Sequence, residues 1–109
     1  MATTYKVLAQ SAPSATTATN IYTVPTSTST VVSTIVVANR ASTTATYRIA
    51  IRPDGATLAN QHYLAYDVAV GGGDSTTLTL GITMDAADVV TVYASTANLS
   101  FNIFGSEIA

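Results

Sequence analysis

The sequence predicts an all-β chain, folded as a single-domain antiparallel β-sandwich of about seven or eight short strands. Three observations predict it. Apolar residues recur with a period of two wherever they cluster, and β-branched Val, Ile and Thr fill the same windows. Turn residues punctuate the chain at roughly ten-residue spacing. Helix start and stop signals are nearly absent. The Cys and Trp markers of a true immunoglobulin domain are missing. The sandwich is therefore expected to be Ig-like or jelly-roll-like in architecture, with a small barrel as the next choice and the strand order left open by pattern alone.

The first strand falls at residues 4–10, followed by a Ser/Ala/Thr/Pro tract at 11–19 that cannot build a core and reads as a surface crossing or an extended arm. Residues 20–24 form a short apolar strand stopped by Pro25, whose missing N–H confines it to a strand end or an edge. A loop at 26–30 leads to residues 30–38 (TVVSTIVVA). That run is nearly continuously apolar, as expected of a strand covered on both sides or central in its sheet. Residues 44–52 alternate cleanly, which points Tyr47, Ile49 and Ile51 inward and Arg48, Ala50 and Arg52 to water.

Pro53-Asp54-Gly55 is a turn, because Pro presets φ, Asp bonds nearby backbone and Gly accepts positive φ. Residues 56–61 can hold one helical turn or a loop. A strand at 61–70 carries Tyr63 and Tyr66, and Gly71-Gly72-Gly73-Asp74 is expected to close a hairpin to a strand at 75–83. After a turn over Met84 to Ala87, strands at 88–94 and 99–107 complete the series. The last places Leu99, Phe101 and Ile103 on one side.

A chain of 109 residues is one domain, spanning 1–109, within which 1–30 can include an extended N-terminal arm. At 48% hydrophobic residues and a mean hydropathy of +0.36 it lies outside the compositional range of disorder. Only 9% of residues are charged, against about a quarter in an ordinary domain, so little of the surface carries ionised groups. Either neighbouring subunits cover much of that surface, or Thr and Ser, 30 of the 109 residues, solvate the outer faces instead.

With no cysteine, neither a disulfide framework nor a thiolate site is available. The first ten residues lack a signal-peptide pattern and no apolar run approaches the roughly 20 residues of a spanning helix, so synthesis in a cytoplasm is expected. A net charge of −2 and a pI of 4.8 give no drive toward nucleic acid or an anionic membrane. Lys6, Arg40, Arg48 and Arg52 all precede Asp54, Asp67, Asp74, Asp85, Asp88 and Glu107. In a sandwich whose halves interleave, such a division reads better as pairing within the chain than between subunits.

No catalytic constellation emerges. His62 is the only imidazole, no G-x-S-x-G elbow accompanies it, and its Asn60-Gln61 context favours a surface or hydrogen-bonding role over that of a general base. Asp74, Asp85 and Asp88 sit at turns without the spacing of a calcium loop. Gly71-Gly72-Gly73 lacks the following helix and the Lys of a phosphate loop, so a hairpin tip explains it better. Tyr5, Tyr22, Tyr47, Tyr63, Tyr66 and Tyr93, with Phe101 and Phe104, can form a sugar- or base-stacking platform, but core and rim packing is the preferred reading. Asn98-Leu99-Ser100 matches a glycosylation sequon in letters alone. The chain is read as a non-enzyme with no catalytic, cofactor-binding or metal residues.

Several stretches nevertheless look like a known kind of protein. Tyr5-Lys6-Val7-Leu8, the Ala15-Thr16-Thr17 tract leading to Ile21-Tyr22-Thr23-Val24-Pro25, and Val31-Val32-Ser33-Thr34-Ile35 before Asn39-Arg40 are three of them. Ile49-Ala50-Ile51-Arg52-Pro53, Leu58-Ala59-Asn60-Gln61-His62-Tyr63, Leu78-Thr79-Leu80-Gly81-Ile82 and Asp88-Val89-Val90-Thr91-Val92-Tyr93-Ala94 are others. Together they resemble small virion structural proteins of tailed phages, notably those infecting cyanobacteria. The resemblance implies multi-copy assembly on a phage particle as a capsid decoration (cement) protein, with a tail, baseplate or fibre component, or a receptor- or carbohydrate-binding module, as the alternative. It also implies other virion proteins, capsid or tail subunits, as partners, a homo-oligomer such as a trimer, and no cofactor.

Overall fold

The computed structural model describes residues 2–109. Eight strands run in the order β1 (Thr3–Ser11), β2 (Thr19–Thr23), β3 (Ser29–Asn39), β4 (Ala45–Arg52), β5 (Tyr63–Val70), β6 (Ser75–Met84), β7 (Val89–Ala94) and β8 (Leu99–Ile108). They make two four-stranded sheets, β1-β8-β3-β6 and β2-β7-β4-β5, in which every neighbouring pair is antiparallel. The expected all-β sandwich is what forms.

The pairing also decides its topology. Strand β1 pairs β8, β2 pairs β7, β3 pairs β6 and β4 pairs β5, so the chain is one long hairpin whose two arms wrap together into two layers. The wrap is closed by β3 against β8 and β4 against β7. This is the jelly-roll order; in an immunoglobulin sandwich the first two strands share a sheet, and here they do not.

Alternation within each strand builds the core. Ile35, Val37, Tyr47, Ile49, Val90, Val92, Leu99, Phe101 and Ile103 are almost wholly buried, and the Tyr47 and Phe101 rings meet edge to face at 6.4 Å. Strand β3 lies between β8 and β6, which explains its long apolar run; its outward residues Val31 and Val36 stay only half-buried. Buried Asn39 is fully used, with its amide donating to the Thr43 and Val70 carbonyls and its Oδ1 accepting from Ala41 N–H.

Four expectations change. Ala50 was expected on the wet face of β4 and is 1% exposed. It points outward, but it lies between Tyr63 and Thr91 on the neighbouring strands, and the 3-10 turn Asn60–His62 packs against β4. Gly71-Gly72-Gly73 does not tip a hairpin, because β5 and β6 lie in opposite sheets. It is a sheet-crossing turn closed by Asp74 N–H to the Gly71 carbonyl and tied by Gly73 N–H to Ala41. At Gly72 a Cβ would collide with the Ser42–Thr43 backbone, so the glycine is required by close approach.

The third change concerns the N-terminal arm. Residues 3–11 pair with β8 along their length, Ala2 and Ala109 exchange two backbone hydrogen bonds, and Thr16 N–H donates to the Ala94 carbonyl. Of the two readings of residues 11–19, a surface crossing or an extended arm, the crossing between the sheets is the one that forms. Fourth, Asp54 makes no local backbone bond through its side chain; it adopts a left-handed φ of 56° and its N–H donates to Asp88 Oδ1.

Every edge strand is irregular: β1 between Val7 and Ala9, β2 between Asn20 and Tyr22, β5 on both sides of Ala65, and β6 opposite the Val32–Thr34 shift of β3. Bulged edges resist open-ended strand pairing.

Candidate functional site

The residues singled out by the sequence take mostly structural posts. His62 is buried rather than superficial, and its Nδ1 accepts from Ala59 N–H at 3.1 Å. No carboxylate orients it among the described residues. Asp88 closes two turns at once, with Oδ1 accepting from Asp54 N–H and Oδ2 from Asp85 N–H. Asp74 and Asp85 accept from the N–H groups of Ser75 and Ala86. Among the described residues no three metal-ligating side chains gather.

Two of the four basic residues pair with acids inside the chain. Rolling the hairpin brings Lys6 of β1 to Glu107 of β8 at 2.8 Å and Arg48 of β4 to Asp67 of β5 at 2.7 Å. Glu107 also accepts from the Tyr22 hydroxyl, which lies 2.8 Å from Thr30 Oγ1, so one polar cluster bridges the two sheets.

Burial and the bond to Glu107 push the Tyr22 phenol from 10.0 up to about 12. The bonds from Lys6 and then Tyr22 hold the Glu107 carboxyl below its ordinary range. The two act at opposite ends of the pH scale. Tyr22 contributes stability that is whole below pH 10 and disappears between 10 and about 12, roughly 2–3 kcal/mol in all. Glu107 contributes stability present above the usual glutamate range near ~4.3, lost as pH falls through its lower folded value. Thermal midpoints measured across pH are expected to fall at both ends, with Tyr22→Phe flattening the alkaline limb and Glu107→Gln the acid limb. Limbs unchanged in the variants would remove the cluster from the account.

Two outer faces remain as candidate surfaces. On the first sheet, the register lines up Tyr5, Ser106, Val31 and Thr83; Val7, Phe104, Thr34 and Thr79; Gln10, Asn102, Val36 and Thr77; and Ser100, Ala38 and Ser75. None of these residues is charged. Tyr5 is 83% and Val7 48% exposed on this face.

The outer face of the second sheet is built differently. Opposite the single residue Arg48, strand β5 places two, Tyr66 and Asp67, and a further extra residue, Leu64, separates Ala65 from Tyr63. Asp67 takes a positive φ of 52° to do this. Its carboxylate receives two bonds from the Arg48 guanidinium, at 2.7 and 3.3 Å, which raises the Arg48 pKa above its already high value. The guanidinium lies over the Tyr66 and Tyr93 rings at 4.1 and 4.2 Å, and Tyr63 meets Tyr66 edge to face at 4.9 Å.

In the sequence these tyrosines are scattered among the other aromatics and form no group. Residues 63 and 66 are three apart, so a regular strand would put them on opposite faces. The signal that could have found the group is the Arg48–Asp67 pairing of a β4–β5 hairpin, read together with a bulge. Compared with protein-family models, with curated proteins and with solved structures, the chain matches none.

Proposed function

We propose that the chain is a phage virion structural protein, a multi-copy capsid decoration (cement) protein that works by packing against neighbouring subunits and carries out no reaction. The observation that carries this reading is the uncharged outer face of the β1-β8-β3-β6 sheet, where Tyr5 and Val7 stand exposed beside Thr, Ser and Val. A sheet face without ions buries against a partner at little desolvation cost. The jelly roll recurs in viral capsid domains, which is an analogy of fold that agrees with the resemblance of sequence.

The test is assembly. The purified protein is expected to sediment as a closed oligomer such as a trimer and to appear in purified particles at a fixed, high copy number. Val36→Glu, which sets a charge in the middle of the uncharged face, is expected to leave the thermal midpoint nearly unchanged while cutting incorporation by about tenfold or more. A monomer absent from particles, or Val36→Glu incorporated at full copy number, would overturn the proposal.

A further inference from the structure

We propose that the outer face of the opposite sheet, at Tyr63, Tyr66 and Asn60, is a binding site for a neutral sugar ring at the end of a glycan. This does not depend on the assembly reading, since it uses the other face of the sandwich.

The tyrosine pair results from departures from regular β structure. The extra residue Leu64 and the Tyr66–Asp67 bulge bring two rings to one side that a regular strand would separate. The left-handed φ of Asp67 is a local strain held in place by Arg48. Core packing does not require it, because Tyr66 is 55% exposed.

The chemistry of the face selects the ligand class. Arg48 lies over the Tyr66 ring, Tyr63 meets that ring edge to face, and the two tyrosines with Asn60 line a depression in which Tyr66 stays 55% exposed. The exposed aromatic surface of the pair suits the C–H side of a pyranose, while the Asn60 amide and the tyrosine hydroxyls supply donors and acceptors for its hydroxyl groups. Charge is cancelled within the site, since the guanidinium is held by Asp67. The guanidinium over the rings is therefore already paired and offers little to an anionic sugar or to the phosphate backbone of a nucleic acid. A shallow seat built on two rings fits a single terminal sugar, bound weakly by each copy and strengthened wherever many copies are displayed together.

The test is titration of the purified full chain with neutral oligosaccharides ending in glucose, galactose or N-acetylglucosamine, followed by amide chemical shifts. Saturable shifts confined to residues 60–66 and their neighbours on β4 are expected for at least one terminus. Tyr66→Ala is expected to weaken binding about tenfold or more, Tyr66→Phe to keep it within about twofold, and Thr77→Ala on the opposite sheet to leave it unchanged. Each variant is checked by its thermal midpoint, which an exposed ring should barely affect. The inference is overturned if no neutral terminus gives saturable shifts, if the shifts lie elsewhere, or if Tyr66→Ala binds as well as the parent. It is equally overturned if a proline-rich peptide or an oligonucleotide occupies the face in place of sugars. Particle incorporation is a separate readout, so either proposal can fail alone.

Discussion

Phe101→Ala is expected to lower stability by about 3–5 kcal/mol, the usual cost of emptying an aromatic-sized site in a close-packed core. Phe101 is fully buried, stands between Leu99 and Ile103 on the inner side of β8, and meets Tyr47 of the opposite sheet edge to face. Its removal therefore opens a cavity between the layers and also orphans one side of the Tyr47 ring. For a chain of this length the loss corresponds to a fall of roughly 10–30 °C in the thermal midpoint. Ile35→Ala, on the central strand, is expected to cost about 2–5 kcal/mol. A midpoint within about 3 °C of the parent for Phe101→Ala would mean that the sheets do not pack through this residue.

Gly105→Ala is expected to be as damaging, for a reason unconnected with burial of apolar area. At Gly105 a Cβ would collide with the Val31 carbonyl oxygen and come within 3.0 Å of Leu8 Cδ1. Both neighbours belong to paired strands, and the irregularities of β1 and β3 flank this point on either side of β8. The carbonyl cannot move without breaking the ladder, so a loss of about 3 kcal/mol or more is expected. Gly81 provides the contrast: its φ is +64° and nothing lies near a built Cβ, so Gly81→Ala is expected to cost only about 1–2 kcal/mol of backbone strain. Chemical denaturation of the two variants side by side separates these causes. Equal and small losses would show that the bulge row across the first sheet relaxes freely.

Much of the fold can be read in the residues. The run TVVSTIVVA marks the central strand β3, the alternation at 44–52 marks β4, and Leu99, Phe101 and Ile103 turn inward as their spacing requires. The division of charge between the two halves of the chain also foretells pairing within the molecule, as Lys6 with Glu107 shows. The candidate sites were far less legible. The aromatic group on the second sheet depends on the Leu64 and Asp67 irregularities, and no residue pattern in β5 announces a bulge. The uncharged face of the first sheet appears only once β1, β8, β3 and β6 are set side by side.

Strand positions, inward faces and the shortage of surface charge follow from alternation and composition, because a strand's two sides are written into neighbouring residues. Which strand lies beside which, and therefore the jelly-roll order, the crossing at Gly71-Gly72-Gly73 and the cover over Ala50, arises from contacts between residues far apart in the chain. Such contacts are chosen by the joint packing of two layers, where the fit of Gly105 beneath Val31 or of Tyr66 beneath Arg48 is settled by the whole assembly of strands.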